Sequence, residues 1–511
     1  MAERARWWAL AAVSLATLMT YLDNNVTNVA LPTIERSLHL SVSGLEWIVS
    51  SYILVLGGLL LVGGRVADIY GRRRVFLIGL VIFTLSSLAA GLAGSGSVLI
   101  AARAVQGLGA ALSMPATLAI IAAAFSDARE RTAAIGIWGG VGALGLALGP
   151  AVGGVISQHF HWGWIFLLNV PLGAITLALS IPFIAESREA QPTTGTKPAS
   201  TAARLDIPGL ITSAVGLFAL TYALIEGGDK GWTSPLIIGA FAVAAVTFAA
   251  FLAIESRSAY PMIPLRIFRS PALSGGLSTM MIWSFGILGI YFFTSLYLQS
   301  NLGFSPTKAG LSFVPMALAV AVAAVLSPRV VAVLGGNRTV AVAMAIMTAG
   351  LLLFVRLGAG ATFGDLLPGF VIFGVGAGLM NVPVTNAVIG GVPTAQAGIA
   401  SALLNASREI AGLLGVTVIG AVLRSSQSAS LRSGAQPAQA FIDGYHTGLW
   451  LTIGLLAVGI VLSYVTLRQR KQSLTDRLAD GLALVETERR VPGVALAESE
   501  EAFPLDVPVE G

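Results

Sequence analysis

Fourteen apolar runs of about 20 residues, each long enough to cross a hydrocarbon layer as a helix, restrict this chain more than anything else in it. They cover residues 7–30, 47–63, 75–93, 98–122, 132–154, 164–184, 207–225, 235–254, 272–298, 309–326, 339–355, 366–389, 398–423 and 447–467. Inside a bilayer a backbone N–H or C=O must find its partner within the protein, so runs of this length imply helices and an all-α, polytopic membrane protein. Composition agrees: 55% of the 511 residues are hydrophobic and 11% are charged, too little charge for a soluble domain. The first run is read as a permanent span rather than a cleaved leader, because it is long, contains Asp23-Asn24-Asn25 and lacks a small-residue cleavage site.

Charge orients the spans. Of the 30 Lys and Arg residues, 22 fall on the side that holds both termini and 6 on the other. Positive loops stay on the cytoplasmic side, so both termini are expected in the cytoplasm. The net charge of +5 belongs to short loops that meet anionic headgroups of membrane lipids, and is no argument for a nucleic-acid partner. Absence of cysteine excludes a disulfide framework, a thiolate metal site and a catalytic thiol, and His39, His159, His161 and His446 show no metal-ligand spacing. Neither a metal nor an organic cofactor is expected. Arg outnumbers Lys 26 to 4 beside heavy use of Ala, Gly and Val, which points to a GC-rich bacterium and its cell (inner) membrane.

Ionisable groups inside spans are costly and mark function. Asp23, Arg103, Arg408 and Glu409 qualify, with Glu226 near an outer end. Asp23 lies about eight residues from the outer end of the first span and Arg103 about five from that of the fourth, so at ~1.5 Å per residue they share a depth and could share one aqueous cavity. A buried ion pair with no further role is the competing reading. Candidate substrate contacts are Asn24, Thr27 and Gln106 beside this pair, Trp283, Tyr291 and Tyr297 within about 120° of one another on the ninth span, and Asn381, Asn405 and Glu226. Aromatic walls with a few polar groups and an acid suit bulky, amphipathic, often cationic small molecules. Such aromatics also fit a lipid-facing or interfacial position, and Glu409 could be neutralised by Arg408. In the fifth span Gly145, Gly149, Gly153 and Gly154 form a smooth strip for close helix approach, and Pro150 removes a backbone donor.

The chain repeats itself. Arg65-Val66, Gly71 and Arg74 recur 264 residues later as Arg329-Val330, Gly335 and Arg338, and Gly107-Leu108-Gly109-Ala110 is echoed by Gly374-Val375-Gly376-Ala377. Spans one to six pair with nine to fourteen, leaving seven and eight as an insertion. The turn Gly64-Arg65-Val66-Ala67-Asp68-Ile69-Tyr70-Gly71-Arg72-Arg73-Arg74 resembles the loop motif of the major facilitator superfamily of transporters. Leu22-Asp23-Asn24-Asn25-Val26-Thr27-Asn28-Val29-Ala30-Leu31-Pro32 is similar to the first-span signature of the fourteen-helix drug:proton antiporters. The stretch with Arg103, Gln106, Gly107 and Gly109 resembles the superfamily's proton-coupling motif, and Gly149-Pro150 with Gly153-Gly154 its antiporter motif.

The resemblance implies two pseudo-symmetric six-helix bundles, 1–185 and 256–467, a cytoplasmic linker at 186–206, two inserted helices at 207–255 and a mostly disordered cytoplasmic tail at 468–511. It implies proton-coupled export of drugs or antibiotics by alternating access, driven by the proton motive force. Asp23, Arg103 and Glu409 would couple protons; Gly64, Asp68, Gly71, Arg72 and Arg74, with Asp127, would latch the inner gate; the glycine strip would seal one half against the other. The alternatives are an exporter or proton symporter of one metabolite, and a membrane-embedded lipid-modifying enzyme, which would need an interfacial acid, His or metal cluster. A monomer is expected.

Overall fold

The structure, a computed structural model, describes residues 3–125, 127–187, 206–258, 261–393 and 396–467. Most of the expected linker and the whole tail lie outside the described residues. Among the described residues fourteen long helices follow one another: α1 (Glu3–Leu38), α2 (Val42–Tyr70), α3 (Arg72–Gly91), α4 (Gly96–Ala124), α5 (Ala128–His159), α6 (Trp164–Phe183), α7 (Ile207–Lys230), α8 (Pro235–Arg257), α9 (Pro271–Asn301), α10 (Pro306–Leu334), α11 (Gly336–Phe354), α12 (Phe363–Gly390), α13 (Ala397–Arg432) and α14 (Pro437–Thr466). No strand occurs among the described residues. Helices α2 to α14 are each long and apolar enough to cross a membrane. Helix α1 is longer than most, but Asp23, Asn24, Asn25 and Asn28 make it more polar; it packs lengthwise on α5 and α6.

Local chemistry sets the ends. Ser41, Ser95, Ser234, Ser270 and Ser305 each accept a backbone N–H of the first turn that follows, and α8, α9, α10 and α14 begin with Pro, which needs no partner there. The Ser41 cap starts α2 five residues before the apolar run at 47–63, and α13 runs on past residue 423 to Arg432. Glu46 and Arg424 therefore lie within helices, not in loops.

Helix pairing repeats with an offset of eight. In the first half α1 packs on α5 and α6, α2 on α4, and α3 on α4 and α6; in the second, α9 packs on α13 and α14, α10 on α12, and α11 on α12 and α14. Close approach is built in with glycine: a Cβ at Gly109 would lie 2.5 Å from Phe83 N of α3, and one at Gly376 would lie 2.5 Å from Ala343 O of α11. The inserted pair α7 and α8 pack on each other, and α7 also touches both α2 and α13. Large apolar side chains such as Leu85, Val325, Val333 and Val461 point outward, as lipid-facing surfaces require.

The halves meet along α2 with α13 and α5 with α10. Side-chain contacts across this seam gather at the end opposite the helix ends bearing Arg72–Arg74, Arg129 and Arg329. There Ser295 Oγ donates to Asn28 O (3.0 Å), Gln299 Nε2 to Val29 O (2.8 Å) and Thr307 Oγ1 to Gly154 O (3.2 Å), and Glu46 pairs with Arg424.

Candidate functional site

Asp23 and Arg103 form one ion pair, Nη1 to Oδ2 at 2.5 Å, with both side chains wholly buried. Five helices, α1, α2, α3, α4 and α6, converge on it. The other carboxylate oxygen, Oδ1, accepts from Gln106 Nε2 of α4 (2.8 Å) and Asn169 Nδ2 of α6 (2.7 Å), and Gln106 Nε2 also reaches Ser87 Oγ of α3 (2.7 Å). Arg103 Nη1 further donates to Gln106 Oε1 (2.6 Å), while Nε reaches Ile48 O of α2 at 3.2 Å. The guanidinium lies 4.3 Å from the centre of the Tyr52 ring, a cation–π contact. Arg103 Nη2 and Tyr52 Oη are buried without a protein partner. One turn along α1, Thr27 Oγ1 donates back to the backbone Asp23 O (2.8 Å).

This arrangement differs from a shared aqueous cavity. The pair lies inside the first half, closed from water, because residues three apart on α4 point both Arg103 and Gln106 at α1. A buried charge pair is stable only while complete, and removal of one partner costs about 3–5 kcal/mol. Arg103, Gln106 and Asn169 all address the Asp23 carboxylate, so this one side chain ties together α1, α4 and α6.

The glycine strip grips α1 on both sides of Asp23. Added Cβ atoms would fall 2.8 Å from Leu18 O at Gly145, 2.5 Å from Asn25 Cβ at Gly149 and 2.7 Å from Val26 O at Gly153. At Gly154 the neighbour is Pro306 O of α10, and Pro150 O abuts Gly310 of α10. The strip thus touches both halves at once.

At the Arg-rich end, Gly64 faces Pro115 and Asp68 Oδ1 accepts from Arg72 Nε (3.2 Å) and Nη2 (3.1 Å). Gly71 turns with φ +110°, and Glu186, which follows α6, caps α3 through Arg73 N (3.1 Å) and Arg74 N (3.3 Å). Asp127 caps α5 at Arg129 N and Glu130 N. In this conformation its carboxylate serves its own helix, and Glu186 takes the place beside the arginine turn.

The substrate candidates separate. Trp283 donates from Nε1 to Ala377 O (3.1 Å), and Arg408 of α13 lies over both the Trp283 ring (5.4 Å) and the Tyr21 ring of α1 (5.7 Å), so these three bridge the halves. Glu409 stands beside them with its Cβ near Gly57 of α2 and makes no hydrogen bond to Asp23 or Arg103 among the described residues. Asn24 and Asn381 are half-buried and Asn405 is exposed, donating to Ser401 O. Tyr291 packs on Phe313 inside the second half, and Tyr297 is buried there against Tyr445, donating to Gly358 O (2.6 Å). The last turn of α9 is wide, Leu302 N reaching back five residues to Tyr297 O. Glu226 holds Trp47 Nε1 at 2.9 Å and Lys230 at the far end of α7.

Sequence reasoning missed Ser87, Asn169, Glu186, Glu46 and Arg424. Asn169, in the stretch Trp164-Ile165-Phe166-Leu167-Leu168-Asn169-Val170-Pro171, was the one with a signal, being a lone amide in an apolar run.

A sequence model described as Major Facilitator Superfamily matches residues 13–416. Among curated proteins, the multidrug resistance protein Stp of Mycobacterium tuberculosis is 36% identical over 84% of this chain and 78% of its own. The puromycin resistance protein pur8 of Streptomyces alboniger is 33% identical over 92% and 93%, and the cephamycin export protein CmcT of Amycolatopsis lactamdurans is 34% identical over 89% and 91%. Among solved structures, a bacterial homologue of the lysosomal transporter Spinster superposes with TM-score 0.63 at 17% identity, covering 92% of this chain and 98% of that one.

Proposed function

The chain belongs to the major facilitator superfamily, and on that premise we propose that it is a drug:proton antiporter that exports bulky amphipathic compounds from a bacterial cell by alternating access. The names of the three relatives above, resistance or export proteins, support the export reading. The observation that carries the proton coupling is the wholly buried Asp23–Arg103 pair with Gln106 and Asn169. A charge sealed in the interior of one half is a natural place for a cycle in which that charge is neutralised and restored.

With the Arg-rich end in the cytoplasm, the seam contacts close the outer side. Substrate enters between the halves, where Tyr21, Trp283 and Arg408 face one another and Asn24, Asn381, Asn405 and Glu409 supply polar groups. Opening of the outer side strips α1 from α9 and from the glycine strip, exposes Asp23 to external protons, and Asp23 carries one across. The membrane potential adds about 2.3 kcal/mol per charge per 100 mV. Asp68, Arg72 and Arg74 work with Glu186 at the inner gate. The halves, 1–185 and 256–467, move against each other, with α1 shifting on the glycine strip of its own half, 207–255 as an appended pair and the chain acting as a monomer.

Expression in a pump-deficient bacterium tests this reading. Resistance to a subset of dyes, quaternary amines and antibiotics is expected, and should vanish with a protonophore; resistance indifferent to the protonophore, or none across the panel, would contradict it.

A further inference from the structure

A second charge pair, distinct from Asp23 and Arg103, crosses between the halves. Glu46 of α2 and Arg424 of α13 join through Oε1 and Nη1 with side chains 0% and 8% exposed. Arg424 Nη2 also donates to Leu224 O (3.2 Å) and Ile225 O (3.0 Å) of α7, and a Cβ at Gly228 of α7 would lie 3.0 Å from Arg424 Nε. Trp47, next to Glu46, is held by Glu226 of the same helix at 2.9 Å. Two side chains thus tie together one helix of each half and the inserted helix. The fit leaves no slack: a Cβ at Gly420 would collide with Glu46 Oε1, and Glu46 Oε2 is buried without a protein partner.

We propose that Glu46 is a second proton-binding site, and that its ion pair with Arg424, braced by α7, is the latch that keeps the ends opposite the Arg-rich side together. The latch rests on the alternating-access reading, in which those ends must part. Separation takes a carboxylate from its cation inside an apolar seam, which is favourable only once that charge is neutralised or hydrated. A proton from the adjoining aqueous phase binds the Glu46 carboxylate and gives the neutral acid; Arg424 keeps its own proton and its two α7 carbonyls, and the halves part. On closure Arg424 returns and the proton leaves to the same phase. The latch therefore sets the pH at which this face opens and adds nothing to the protons carried across. The charged groups facing Glu46 are Arg424 from α13 and Glu226 and Asp229 from α7, with Lys230 paired to Glu226. Glu226 is occupied by Trp47 and Lys230, so Glu46 is the acid whose cationic partner lies across the seam. The inserted helices gain a role from this: α7 holds Arg424 in place whether or not Glu46 is charged.

The chain has no cysteine, so Ser97→Cys at the start of α4 and Ser433→Cys just after α13 place one spin label on each half, both at exposed positions of this end. Distances between the labels are measured in full-length protein in lipid nanodiscs from pH 8 to pH 5. The expected result is a long-distance population that grows as pH falls, that is present at every pH in Glu46→Gln and Arg424→Gln, and that keeps its pH response in Asp23→Asn. A pH-driven shift surviving in Glu46→Gln would overturn the proposal, as would distances that do not respond to pH in the parent, a readout that stands even if the variants fail to assemble. Neither readout depends on which compound, if any, is exported, so failure of the transport reading would show separately in the resistance assay.

Discussion

Replacement of Gly149 by alanine adds one methyl group at the tightest α1–α5 contact of the strip. The new Cβ would lie 2.5 Å from Asn25 Cβ and 3.3 Å from Val26 N. Carbon atoms settle at about 3.5–4.0 Å, so the helices must part by roughly 1 Å. A local tilt cannot absorb this, because Gly145 and Gly153 hold α1 equally closely on either side. Overpacking of this kind costs about 1–3 kcal/mol, which is roughly 5- to 150-fold in any equilibrium the contact joins. The packed conformation bears that cost while the lipid-facing surface is untouched, so membrane insertion should be normal. Gly139 on the same helix is the internal control, since a Cβ there meets nothing within 4 Å. Membrane content by immunoblot and efflux from loaded cells should show Gly149→Ala reduced about fivefold or more at full expression, with Gly139→Ala unchanged. Equal efflux from the two variants would refute the reasoning.

Two further predictions concern single contacts. Gly71→Ala forces a side chain into a left-handed turn (φ +110°) and against Glu186 Oε1, 2.6 Å away, so it should destabilise by about 1–3 kcal/mol and lower the thermal unfolding midpoint in detergent; an unchanged midpoint would contradict the cap described for α3. Tyr297→Phe removes the bond to Gly358 O and should cost about 1 kcal/mol of stability while leaving the range of exported compounds intact; an altered range without loss of stability would return Tyr297 to the substrate wall.

The apolar runs made the helices legible, because span length and backbone pairing leave little choice in lipid. Asp23 and Arg103 were legible as a pair from depth alone, and the glycine strip from its spacing. Glu46 and Arg424 were not, for two reasons: segmentation by apolarity ends a span where a charge begins, while caps such as Ser41 carry the helix further, and a pairing 378 residues apart leaves no local signal. Helical phase placed Trp283, Tyr291 and Tyr297 on one side of α9, but that side faces the interior of the second half over part of its length, which only the packing of α14 reveals. Asp127 read as a gate residue because of its place after α4; its geometry at the start of α5 is that of an N-cap.

The central claim is that the buried carboxyl group of Asp23 gains and loses a proton in every export cycle, and purified protein in liposomes tests it most directly. With a drug gradient imposed across the membrane, no initial pH difference and a pH dye inside, the protein should drive protons against the drug flux until a pH gradient stands, while Asp23→Asn should let drug equilibrate with no proton movement. Drug flux without proton movement in the unaltered protein, or a pH gradient still built by Asp23→Asn, would contradict the account.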